Sequence, residues 1–188
     1  MKGALIGLAV LVVVAVLFGG QLISARNQLV TEKNEIDAKW AQVDTDMKRR
    51  ADLIPNLVET VKGYAKQESG VIASVANARS ALLNARSPQE KIDANSQLSG
   101  AIGRLLVLQE NYPQLKSNEN FLRLQDELSR TENRIAVSRR DYNEAIKTYN
   151  TDVELFPKNI AASVFGYHRN DAYFKTTEED RKVPPVRF

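Results

Sequence analysis

Two hydrophobic patterns divide this 188-residue chain. The first is continuous. From Gly3 to Gly20 no side chain is charged or strongly polar, and Gln21, Leu22 and Ile23 extend the run to 21 residues. A helix needs about 20 such residues to cross a bilayer, so residues 1–23 are expected to form a transmembrane anchor. A cleaved signal peptide is the competing reading, but its apolar core is only about 7–15 residues and ends in a small-residue cleavage site. Here the run is longer, and Ser24-Ala25 leads straight into Arg26 and a helical pattern, which favours a retained anchor. Gly3 and Gly7 carry the G-x-x-x-G spacing that lets two membrane helices bring their backbones together.

The second pattern is periodic. Leu22, Leu29, Ile36 and Val43 repeat at seven, with Trp40, Met47 and Ile54 on the adjacent row, so the anchor helix is expected to run unbroken into the domain. Pro55 removes a backbone donor and predicts a kink; the apolar row resumes at Leu57, Val58, Val61 and Tyr64. Ser69-Gly70 reads as a turn. Val71, Ile72, Val75, Ala78 and Leu82 then form one face of a short helix. Ser87-Pro88 caps the next helix, whose face is Ile92, Leu98, Ile102, Leu105 and Leu106, and Asn111-Tyr112-Pro113 ends it. The last long helix opens at Asn118-Glu119 and stops at Pro157. Phe121, Leu128, Ile135, Tyr142, Tyr149 and Phe156 lie seven apart along it, flanked by Leu124, Thr131, Ser138 and Ala145. These aromatics read as inter-helix packing, and the mixture of large and small layers suits a four-helix bundle better than a two-stranded zipper.

The expected fold is therefore all-α: a transmembrane helix continuing into an up-and-down antiparallel four-helix bundle with coiled-coil-like stripes. The bundle occupies residues 24–157. An apolar segment, 158–174, packs on the bundle or on a neighbour, and 175–188 is an extended, charged and Pro-rich tail.

Composition narrows the chemistry. There is no cysteine, which removes disulfides, thiol nucleophiles and Cys-ligated metals. The single histidine, His168, cannot build a His-based triad or zinc site and reads as a surface or end-cap residue. A net charge of +3 is too small for a strongly basic nucleic-acid binder. The carboxylates Glu178, Glu179 and Asp180 sit in a solvated stretch rather than a shielding cleft. No catalytic residue, cofactor or metal site is expected, and the chain does not read as an enzyme.

Longer motifs carry a family resemblance. Arg49-Arg50-Ala51-Asp52-Leu53-Ile54-Pro55-Asn56-Leu57-Val58 with Gly63-Tyr64, the stretch from Tyr112-Pro113 to Asn120-Phe121, Thr131-Glu132-Asn133-Arg134-Ile135-Ala136, Arg139-Arg140-Asp141-Tyr142-Asn143, Tyr149-Asn150 and Phe156-Pro157 resemble the signature of the LemA family. The resemblance extends over nearly the whole chain, to its Pro-Val-Arg-Phe ending. It implies a bacterial membrane-anchored helical bundle with an ill-defined biochemical role. Some relatives act in magnetosome membrane formation, and family genes often neighbour membrane-stress proteases. No catalytic residues carry over.

The polar cluster before Pro55 is the chief candidate site. The stripe through Val43, Met47 and Ile54 places a core position at Arg50 or Ala51, so Arg50 is expected to point inward and Arg49 outward. With Asp52 and Asn56 the cluster reads either as a recognition surface for an acidic partner or lipid head group, or as an internal ion pair or hydrogen bond to the carbonyls freed near Pro55, with Glu132 or Asp141 as candidate partners. The internal reading is favoured. Asn133, Asn143 and Asn150 read as inter-helix hydrogen-bonding residues, Arg139 and Tyr142 as further motif positions, and Gly100 and Gly103 as close-packing sites.

Two functions fit. One is a non-enzymatic scaffold that self-assembles at the bacterial inner membrane and organises membrane or envelope partners. The other is an adaptor that recruits or regulates a membrane protease or lipid-associated complex. The expected partners are the lipid bilayer, further copies of the chain and a membrane protein, with no nucleic acid. Lys2 before a single span resembles a signal-anchor, which places the domain on the extracytoplasmic side.

Overall fold

A computed structural model describes residues 2–175, and among them every regular element is helical. In chain order these are α1 (Lys2–Tyr64), α2 (Ser69–Asn84), α3 (Pro88–Val107), a 3-10 turn (Leu108–Glu110), α4 (Pro113–Lys116), α5 (Glu119–Glu154) and α6 (Lys158–Phe165). The expected tail lies, from residue 176 on, outside the described residues.

The chain divides into two compact units. The first comprises the residues up to Lys39 and Asp141–Tyr173. Near its start an 18-residue window of α1 has a mean hydropathy of 2.6, and none of it is buried. Exposed leucines, valines and Phe18 over this length match a lipid-facing helix. Below this span α1 acquires an inside: Leu29 and Ile36 are buried, as are Tyr142, Ile146 and Tyr149 of α5 and Ala161 and Ala162 of α6. Gly166, at φ 73°, ends α6 in the left-handed region, where a side chain is strained.

The second unit comprises Trp40–Arg140 with Phe174. The α1 stripe continues through buried Val43, Met47, Ile54, Leu57 and Val61. Ile72, Val75, Ala78 and Leu82 form the inner face of α2, which packs directly against α3. A capping box starts α3. Ser87 Oγ accepts from the Glu90 amide at 3.2 Å, and Glu90 Oε2 accepts from the Ser87 amide at 3.2 Å. Phe121, Leu128 and Ile135 of α5 are buried as the seven-residue repeat requires.

α1 continues as helix through Pro55 to Tyr64, as the apolar row resuming at Leu57 implies. Other expectations are corrected. The first reversal is at Lys66-Gln67, and Ser69-Gly70 forms the first turn of α2. Helix first turns leave their N–H groups unpaired in any case, so a Ser-Gly pair is tolerated there. Phe156 continues the α5 repeat in sequence but lies beyond the end of α5 and is 78% exposed. A Cβ added at Gly100 or Gly103 would meet nothing within 4 Å, so these glycines are not close-packing sites.

Candidate functional site

Each unit holds buried polar contacts between its helices. In the second unit, Arg50 is 5% exposed, and its Nη1 lies 2.5 Å from Glu132 Oε2. The same nitrogen donates to Ser99 Oγ at 2.9 Å. The Glu132 contact is a close ion pair without hydrogen-bond alignment, and the buried Arg50 Nε has no protein acceptor among the described residues. Burial lowers the pKa of Arg50, and Glu132 opposes that shift. The guanidinium is thus held by a carboxylate and a hydroxyl, not by the backbone oxygens expected near Pro55.

The backbone oxygen in question has another donor. Proline at position 55 removes the helical partner of the Ala51 carbonyl. Arg79 of α2 fills the gap, with Nε donating to Ala51 O at 2.8 Å. One turn earlier, buried Asp46 accepts from Ser138 Oγ at 2.5 Å and from Gln42 Nε2 at 3.2 Å. These contacts tie α1 to α2, α3 and α5.

The other residues of the predicted cluster are not gathered into it. Arg49, Asp52, Pro55, Asn56 and Asn133 are exposed. The Arg139 guanidinium lies 4.7 Å from the centre of the Phe174 ring, and Phe174 stacks on Trp40 with centroids 6.2 Å apart.

The first unit pairs two carboxyl groups. Gln28 Nε2 donates to Glu32 Oε1 and Asp152 Oδ2, each at 2.9 Å, and Lys158 forms an ion pair with Asp152. Glu32 is 8% exposed. Its burial, together with the hydrogen bond to Asp152, raises its pKa to about 7. At Asp152 burial pushes the pKa up, but the Glu32 hydrogen bond and Lys158 outweigh it and the net direction is down. The two shifts run in opposite directions, so Glu32 is the more readily protonated of the two carboxyls and Asp152 the more readily charged.

The same unit ties down the stretch after α6. Asn150 Nδ2 donates to the Asn170 carbonyl at 2.8 Å and to Tyr173 Oη at 3.1 Å, while its Oδ1 accepts from the Asn170 amide at 2.8 Å. Asn150 thus holds an extended segment, whereas a second helix was expected. Tyr149 Oη donates to the His168 carbonyl at 3.0 Å. Tyr142 is buried, and that burial, reinforced by Asp37, pushes its phenol pKa up to about 12. Asn143 is half-buried on α5. Gly3 and Gly7 are exposed, with nothing within 4 Å of an added Cβ.

These arrangements position helices. Among the described residues no three His, Asp or Glu side chains form a metal-binding group. Glu178, Glu179 and Asp180 lie outside the described residues.

Arg79, Ser99, Asp46, Glu32, Asp152 and Lys158 were not foreseen. Glu32 had a readable signal: it lies three residues after Leu29 and four before Ile36, on the apolar row itself. Asp46, three after Val43, is in the same position.

A family model described as the LemA family matches residues 39–188. Magnetosome protein MamQ 2 of Paramagnetospirillum magneticum is 28% identical over 198 residues, covering 92% of this chain and 72% of that protein. Protein LemA of Metamycoplasma hominis is 26% identical over 160 residues, covering 85% of this chain and 73% of its own. Magnetosome protein MamQ of Magnetospirillum gryphiswaldense is 22% identical over 202 residues, covering 94% and 74% respectively. The family match takes in both the Arg50–Glu132 pair and the Asn150 clamp, and the chain belongs to the LemA family.

Proposed function

We propose that this membrane-associated helical protein is a non-enzymatic scaffold that self-assembles at the bacterial inner membrane and organises membrane or envelope partners. It is a single-pass protein whose domain faces the extracytoplasmic side, and α1, α2, α3 and α5 contribute the four helices of its bundle. The observation that carries this reading is α1 itself: one helix contains both the exposed apolar span and the buried stripe from Leu29 to Val61. Such a helix couples a bilayer anchor directly to a packed domain. The magnetosome names of two relatives fit a role at a membrane.

Self-assembly is tested by single-cysteine disulfide scanning along residues 3–23 in native membranes, which the cysteine-free chain allows. Crosslinking that peaks on the Gly3/Gly7 face is expected; no crosslinking at any position counts against assembly through the span. The adaptor reading is favoured by a separate feature, an open groove of about 780 Å³ between α2 and α3 that includes Gly70, Ala73, Ala81, Gly100 and Arg104. Its occupant would be a membrane protein such as a protease.

A further inference from the structure

The first unit exposes large apolar side chains in an unusual place. Leu155 is 61% exposed, Phe156 78%, Val164 64% and Phe165 41%, all within the turn into α6 and α6 itself. Four such residues in so short a stretch form a patch of the kind that marks an interaction surface.

The location of the patch identifies what covers it. Pro157, Lys158 and Ile160 share a cleft of about 130 Å³ with Phe18, Leu22 and Gln28 of α1. At 1.5 Å rise per residue, Phe18 lies about 7.5 Å inside the end of the apolar run at Ile23. The same cleft reaches Gln28, about 7.5 Å beyond Ile23, so the start of α6 straddles the end of the span, at the depth of the headgroup region. Basic groups flank it as they do in interfacial segments. The Arg26 guanidinium lies 5.6 Å from the centre of the Phe165 ring, and Lys158 turns to Asp152. Local charges are balanced, with Arg26, Lys158 and Arg169 against Glu154, Asp152 and Asp171, so the contact is apolar rather than selective for anionic lipid.

We infer that residues 155–165 lie in the interface of the same bilayer that α1 crosses, and give the first unit a second lipid contact beside its anchor. This rests on the reading that the apolar run spans a membrane.

The full chain, reconstituted in phosphatidylcholine vesicles, carries a single environment-sensitive nitrobenzoxadiazole label at Phe156→Cys or Phe165→Cys. Leu11→Cys reports the span, and Leu122→Cys, an exposed position on α5, is the reference. The Phe156 and Phe165 labels should be blue-shifted and quenched about twofold or more relative to Leu122, best by lipid brominated high in its acyl chain. The Leu11 label should be quenched best by lipid brominated deeper. A quenched Leu11 label with Phe156 and Phe165 labels open to aqueous iodide overturns the inference and leaves the anchor standing. A blue shift without quenching by brominated lipid also overturns it, and assigns the patch to a second copy. An unquenched Leu11 label overturns the anchor and the inference together.

Discussion

Arg79 on α2 donates its Nε hydrogen to the carbonyl oxygen of Ala51 on α1, the backbone group that Pro55 leaves without a helical donor. The local defect is thus converted into a tertiary contact between two helices. A buried carbonyl without a partner costs about 1–3 kcal/mol, so Arg79→Met should destabilise the full chain by about that much in a denaturant titration in micelles. Pro55→Ala restores the missing amide. The Arg79→Met penalty should shrink to less than half in that background; an undiminished penalty would show that Arg79 acts through something other than the Ala51 carbonyl.

The Arg50–Glu132 pair makes a second stability prediction. Removing one side of a buried pair costs about 3–5 kcal/mol, but the Glu132 side chain is 44% exposed and screening reduces the effect. Arg50→Ala should therefore cost about 2–3 kcal/mol, and Arg49→Ala, on the exposed face, less than about 0.5 kcal/mol. Thermal melts of both variants decide it. An unchanged melting temperature for Arg50→Ala with loss of assembly would make this segment a recognition surface.

How far this could be read from sequence depends on the range of each interaction. The seven-residue rows predicted buried Leu29, Ile36, Val43, Phe121 and Ile135, because helical period alone places them on one face. The inward side of Arg50 follows from the same period. Arg79 does not, since its acceptor is 28 positions away and its helix gives no sign of a defect in another. Phe156 shows the opposite failure. The repeat persists in sequence, but the helix that would hold it on that face ends at Glu154. Ser69-Gly70 carried turn-forming residue types, yet the chain reverses earlier, and local composition does not encode where a helix must dock.

Glu32 sets a pH dependence in the first unit. Its folded pKa is raised from 4.5 to about 7, so the folded state binds the proton more tightly than the unfolded state. Its contribution to stability is complete below about pH 4.5, falls as pH rises and is lost above about pH 7. Asp152, shifted in the opposite direction, acts only in more acidic solution. Glu32→Gln keeps the hydrogen-bonding shape without the charge. It should flatten the loss of stability between pH 5 and 8 and raise stability at pH 8 by about 1–2 kcal/mol. An equally steep profile in the variant would assign the effect to another group.

Asn150 makes three hydrogen bonds to the segment after α6. Asn150→Leu should release residues 167–173 locally while α5 stays folded, because each bond contributes about 0.5–1.5 kcal/mol. Hydrogen exchange at the Asn170 amide should accelerate about tenfold or more. Unchanged protection there would mean that Tyr149 and the surrounding packing hold the segment by themselves.

Assembly at the membrane is the centre of the account, and the mass of the full-length protein in particles cut directly from native membranes tests it most directly. A scaffold built on the α1 span should give a discrete multiple of the 21.0 kDa chain that persists on dilution. A strict monomer in those particles, at the protein's natural abundance, would contradict self-assembly and leave the adaptor reading in its place.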